Sequence, residues 1–161
     1  MLLLHSVMLF QKGLPMLNSG DEIGQLNGWA YREEPDRAED SRNLHRTAFS
    51  HENAALRHTK GTLQERVFSG IQAIHALREN AAFDPQSYVS TWDTADNGVL
   101  SLVRFGSRET LIALFNFTDR GAVARLEALD GGFKNLLTGE AADVKNVRLA
   151  PYEVRYLIQK T

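Results

Sequence analysis

Residues 98–116 read "GVLSLVRFGSRETLIALFN": two runs of aliphatic, β-branched and aromatic residues on either side of Gly106 and Ser107. Runs of this length and composition, broken by turn residues, predict two strands of an antiparallel sheet. The same pattern continues on both sides. "YVSTWDT" (88–94) precedes the turn Asp96-Asn97-Gly98, while "AVARLE" (122–127), "VKNVRL" (144–149) and "EVRYLIQ" (153–159) follow, with Asp130-Gly131-Gly132 among their turns. Short strands in series predict an all-β region over residues 86–161, a small antiparallel sandwich or barrel.

Upstream the period changes. Asp84 and Pro85 end a helical pattern that opens at Thr62 with "TLQE", a capping box in which the threonine side chain accepts from the Glu65 amide while Glu65 reaches back. Leu63, Val67, Ile71, Ile74 and Leu77, with Phe68 beside them, recur at helical spacing to about Asn80. Before this helix runs a long polar segment, "GWAYREEPDRAEDSRNLHRTAFSHENAALRHTK" (28–60), with no sustained period. Such a length of irregular chain within a compact domain is functional or disordered. Its mixed arginines and acids favour local ion pairs over a one-sign tail.

The opening "MLLLHSVMLF" predicts a buried helix. No basic residue precedes it and no cleavage signal closes it, and it is far short of a membrane span of roughly 20 residues. "LPMLN" (14–18) reads as a short buried strand with proline at its beginning. Residues 1–85 therefore alternate helix, strand, loop (about 19–60) and capped helix (about 62–80), whereas 86–161 are all-β. A lone strand between helices has no partner of its own kind, which marks the first part as one unit of something larger.

Composition narrows the partners. The 161 residues carry a formal net charge of −2, giving no electrostatic reason to expect nucleic acid or an anionic membrane. With no cysteine, neither disulfides nor thiolate zinc sites are available. No cofactor is implied. Absence of a convincing leader favours a cytoplasmic location.

These residues carry a family resemblance. "LLLHSVMLF", "GLPMLNSGDEIGQLN", "DSRNLHR" and a capped helix ending in "IHALREN" resemble the last βα unit of the (β/α)8 barrel of the α-amylase superfamily, glycoside hydrolase family 13. "ALFNFTD" and "LAPYEVRYLI" are similar to the β-sandwich that follows that barrel. The step Asp40-Ser41-Arg42 with His45-Arg46 most resembles amylosucrase and its sucrose-hydrolysing relatives. The resemblance implies an α+β fragment whose parent acts on sucrose or α-glucans by a retaining double displacement. The family's nucleophile, acid/base and second aspartate follow strands four, five and seven, whereas residues 14–18 match strand eight, so no catalytic residue is assigned here. It further implies that Arg46, with Arg42 as second candidate, closes the glucosyl pocket. The guanidinium fork suits this task, holding a carboxylate while donating to sugar oxygens.

Other candidates are weighed on their own residues. Asp21 and Glu22 are adjacent and point apart, so they fail as a retaining pair, which needs carboxyl groups about 5 Å apart facing one bond. They read instead as acids that satisfy nearby amides in a glycine turn. His45, His51 and His58 lie on irregular chain without convergent spacing and are read as loop histidines, with no metal site assigned. His5 and His75 belong to helix surfaces. The sequon Asn116-Phe117-Thr118 ends a strand and is read as chance. Trp92, Tyr88, Tyr152 and Tyr156 are divided between core packing and a sugar-stacking platform. A non-catalytic carbohydrate-binding or structural module is the alternative function. A barrel unit without its neighbours is expected to self-associate or to leave its first segment disordered.

Overall fold

A computed structural model describes residues 1–160. The chain divides into two compact units, one of residues 16–73 with Met1, the other of residues 2–15 and 74–161.

The second unit is built on the hairpin of residues 98–116. Strand β2 (Val99–Phe105) pairs antiparallel with β3 (Glu109–Asn116), Val103 opposite Ile112, and β3 pairs in turn with β8 (Val154–Lys160), Ile112 opposite Leu157. β1 (Tyr88–Ser90) flanks β2 at one edge, while β5 (Phe133–Asn135) and β6 (Ala141–Ala142) extend the sheet beyond β8. The order is β1-β2-β3-β8-β5-β6, and a second sheet pairs β4 (Ala122–Ala124) with β7 (Val147–Leu149).

Side chains alternate across a strand, and both faces of the large sheet are covered. Val99, Val103, Ile112, Leu114 and Leu157 share one apolar cluster with Ala122, Ala124, Val147 and Leu149 of the small sheet. This is the sandwich. Leu102, Leu111, Ala113, Phe115, Tyr156 and Ile158 face the opposite way and pack with Phe10, Leu77 and Ala82. Burial on both faces explains why "LIALF" (111–115) is apolar without interruption.

Helix α1 (Leu2–Phe10) forms where the apolar opening predicted one, with Leu9 and Phe10 buried. Phe10 meets Phe83 and Phe115 edge-on at centroid distances of 5.4 and 6.4 Å and stacks on Tyr156 at 6.4 Å. The last carbonyls of a helix lack intrahelical donors and carry partial negative charge. Two arginines supply both needs. Arg78 donates to the carbonyls of Leu9 (2.7 Å) and Gly13 (3.1 Å). Arg104 donates to the carbonyl of Phe10 (2.7 Å), to that of Ala82 (2.8 Å) and to the Ser87 hydroxyl (3.0 Å). Arg104 is only 2% exposed and lies over the Phe83 ring at 4.4 Å. Burial, and then the charge of Arg78, hold its pKa below the usual arginine value.

The capped helix α3 (Leu63–Ala76) is continued by a 3-10 turn, Leu77–Glu79. Half of the predicted capping box is present. The Glu65 amide donates to Thr62 Oγ1 at 3.1 Å, but the Thr62 amide donates to the Thr59 carbonyl. Val67, Ile71, Ile74 and Leu77 are buried as predicted, whereas Leu63 is exposed.

Residues 14–18 correct the sequence expectation. They form no strand, and Leu14 and Met16 are 92% and 83% exposed. Every described ladder is antiparallel and lies in the β region, so this apolar run has no strand to pair with. The barrel unit is thus not formed as a βα unit in this chain. The long segment behind it is irregular but ordered into short turns: Asp21–Ile23, Ala30–Glu33, Ser41–His45, Leu56–His58 and the short helix α2 (His51–Ala55). Strands β5 and β6 went unpredicted. Among the described residues no helix is long and apolar enough to cross a membrane.

Candidate functional site

The loop that follows residue 18 is tied down by its own polar side chains. Gly20 and Gly24 adopt left-handed backbone (φ 103° and 66°), bracketing the turn Asp21–Ile23. The Glu22 carboxylate accepts from the Gly20 amide at 2.8 Å, and Asp21 accepts from the Asn18 amide at 3.3 Å. Both acids serve the backbone, as the sequence reading held. Gln25 joins this turn to the chain some twenty residues on. Its amide nitrogen donates to Thr47 Oγ1 (2.5 Å) and the Ala48 carbonyl (3.0 Å), while its oxygen accepts from the Ser50 amide (3.0 Å). The Gly28 amide donates to the Leu44 carbonyl, and His45 Nδ1 lies 3.0 Å from Asn27 Oδ1. Together these residues enclose a small polar cavity of about 50 Å³ bounded by Asn18, Asp21, Gln25, Asn27, His45 and Thr47.

The two candidate arginines stand differently. Arg42 is exposed and bidentate on Asp40, with Nε to Oδ1 and Nη2 to Oδ2 both at 2.8 Å. Asp40 also caps the turn Ser41–His45 by accepting from the Arg42 amide. The Arg42 guanidinium, first through its hydrogen bonds, holds the Asp40 carboxyl below its ordinary pKa and is itself raised in return. Arg46 ends the same turn. It is exposed, and among the described residues its guanidinium makes no hydrogen bond or ion pair. Arg37 braces the loop from below, donating to Glu34 (2.9 Å) and reaching the Asn43 side chain and the Arg46 carbonyl at 3.4 Å. The turn therefore presents one committed guanidinium and one uncommitted one.

The histidines do not converge. His45 partners Asn27, His51 meets Phe49 edge-on at 5.4 Å, and His58 lies against Phe68 at 5.6 Å. Among the described residues no three His, Cys, Asp or Glu side chains are placed to hold a metal ion. Asn116, fully buried, donates to the carbonyls of Arg120 and Ala150 and accepts from the Thr118 amide and hydroxyl. It is an internal fastener of the sandwich.

The aromatic residues split. Tyr156 belongs to the core. Burial pushes its phenol pKa up, and its oxygen has no hydrogen-bond partner, the Ser6 hydroxyl donating to the Leu2 carbonyl. Tyr88 and Tyr152 are 65% and 62% exposed. Trp92 is half-buried beside a cavity of about 450 Å³ whose other walls include Asp93, Ala95, Arg125 and Glu127. The sequence pointed to Trp92, but not to Arg125 and Glu127, which lie some thirty residues away.

The family profile of the "Beta-galactosidase C-terminal domain" matches residues 101–157, which hold most of the large sheet. Solved structures share the fold of the whole chain. A structure of AmyP in complex with maltose aligns at 23% identity with a TM-score of 0.75, over 98% of this chain and 33% of that one. The ligand-free cyclic α-maltosyl-(1→6)-maltose hydrolase from Arthrobacter globiformis aligns at 18% identity and TM-score 0.67, over 99% of this chain and 29% of the other. The MUTB F164L mutant, from crystals soaked with trehalulose, gives 19% identity and TM-score 0.69 over 99% and 38%. This chain spans about a third of the length of these proteins. The β region falls within that shared fold.

Proposed function

We propose that this chain is the C-terminal portion of an amylosucrase-like, sucrose-acting enzyme of glycoside hydrolase family 13, comprising the segment that completes a (β/α)8 barrel and the β-sandwich behind it. The parent moves a glucosyl group from sucrose to a glucan acceptor or to water through a covalent glucosyl-enzyme intermediate. This chain supplies part of the pocket lining and none of the three carboxylates of the reaction, so alone it turns over no sucrose.

The observation that carries the reading is the turn Asp40–Arg46. The loops after the strands of a (β/α)8 barrel line its active-site face. Here such a loop is cross-linked through Gln25 and Asn27 and ends in Arg46, whose guanidinium makes no hydrogen bond or ion pair with a described residue. Arg46 then closes the glucosyl pocket by pairing with an acid elsewhere in the barrel, and Arg42, saturated by Asp40, serves the loop. In the parent enzyme, Arg46→Ala is expected to cost about 2–5 kcal/mol of transition-state binding, because it strands that acid. Arg46→Lys should recover little, lacking the fork, and Arg42→Ala should stay near wild-type fructose release from sucrose. Equal losses at Arg42 and Arg46 would overturn the assignment.

The exposed Leu14 and Met16 belong to the same reading, as the residues that pair with barrel neighbours in the parent. In isolation they favour self-association of the chain. Sedimentation is expected to show concentration-dependent dimers or larger species, abolished by replacing both with serine.

A further inference from the structure

The cavity beside Trp92 has the chemistry of a carbohydrate subsite, and we propose that it binds a pyranose ring on the β-sandwich, through residues none of which belongs to the loop of Arg46. Its volume of about 450 Å³ lies within the range of small-molecule pockets. A sugar offers two kinds of surface, an apolar ring face of C–H groups and a rim of hydroxyls. Trp92 meets the first. Its indole packs on the sandwich core and on Phe105, at 5.9 Å between centroids, and Trp92 is also one of the residues that line the cavity. C–H groups carry partial positive charge and settle on the electron-rich face of an indole. Asp93 and Glu127 meet the second as acceptors and Arg125 as donor, and none of the three forms an ion pair with a described residue. Charged acceptors make the stronger hydrogen bonds to hydroxyls.

The walls are set before any ligand arrives. The Trp92 amide donates to Ser101 Oγ at 2.8 Å, and that hydroxyl donates to the Trp92 carbonyl at 2.6 Å. Thr94 Oγ1 lies within donating distance of the carbonyls of Val99 (2.9 Å) and Asp96 (3.0 Å), which share its one proton, while the Arg125 amide donates to the Thr94 carbonyl, which joins the two walls. Asp93 Oδ1 accepts from the Ala95 amide at 2.9 Å. This leaves Oδ2 for a ligand. Ala95 takes a left-handed conformation (φ 57°) that an alanine seldom adopts, and such strain gathers at binding sites.

The chain has two tryptophans, so Trp29→Phe makes Trp92 the sole indole reporter. In that background, titration with maltotriose is expected to shift the emission saturably in the millimolar range, while sorbitol, which has hydroxyls but no ring face, does not. By saturation-transfer NMR, Trp92→Ala should abolish transfer to the ring protons. Glu127→Gln and Asp93→Asn, the latter keeping the oxygen that caps Ala95, should each weaken binding severalfold with unchanged unfolding midpoints, so the test stands even if Trp92→Ala fails to fold. Cellotriose binding in place of maltotriose would support the site and count against an α-glucan parent, whereas sucrose binding would support the site and agree with a sucrose-acting parent. No saturable response to any of the three sugars, equal response to sorbitol, or binding untouched by both carboxylate variants would overturn the proposal and leave the reading of Arg46 standing.

Discussion

Residues 16–73 and the β unit hold their shape by opposite means. In the β unit, two apolar clusters sandwich a continuous antiparallel ladder, and buried polar groups such as Arg104 and Asn116 give partners to backbone carbonyls. In residues 16–73 only Ile23, Tyr31, Ala54, Val67 and Ile71 are buried apolar residues, and the loop is fastened by side chains bonded to backbone. A region with few buried apolar contacts opens locally at low free-energy cost, whereas a doubly packed sheet opens only with the whole.

The comparison is broken most forcefully at Phe115, fully buried between α1 and the sheet. Phe115→Ala should cost about 3–5 kcal/mol and shift the entire β-sheet transition in urea, read by circular dichroism. A loss confined to α1 would contradict the shared core. Next comes Arg104→Leu, which removes the donor from the carbonyls of Phe10 and Ala82 and from Ser87. About 2–4 kcal/mol is expected, with α1 amides exchanging first, because stranded buried acceptors lose their partner. Arg104→Lys should rescue little, since one ammonium cannot span three acceptors set around a planar fork.

Gln25→Ala probes the other region. Losing its three hydrogen bonds should cost about 1–2 kcal/mol locally, seen as faster exchange of the Ser50 amide, with the β transition unmoved. A shifted β transition would remove the contrast. The smallest effect belongs to Asp40. Its folded pKa is depressed, so its stabilising contribution is present above the unfolded value and is lost as pH falls through the folded one. By NMR titration its carboxyl should protonate below the ordinary aspartate range, and Arg42→Ala should move it part of the way back, the residue 42 amide still donating to it. Because the pair is exposed, salt should weaken the shift.

How much of this was legible depends on where the determining partner lies. β2, β3 and β8 were legible because their apolar runs are long and bounded by turns. β5 and β6 were not, since three and two residues cannot display a period. Residues 14–18 look like a strand because they are apolar. A strand is decided by its neighbours, and this chain supplies none. Thr62 was legible as a cap because its partner is three residues away. Arg104, in the middle of a strand, gave no sign of holding residues 82, 87 and 10. In the candidate site, the mixed charges of residues 32–46 foretold the Arg42–Asp40 pair, whereas the Trp92 cavity needed the fold to bring Arg125 and Glu127 alongside.

The central claim is that this chain lines a glucosyl pocket without holding its chemistry. Fructose release from sucrose by the purified chain tests that most directly. Release at the rate of buffer alone is the result predicted, and release well above buffer, abolished by replacing any carboxylate of this chain, would contradict it.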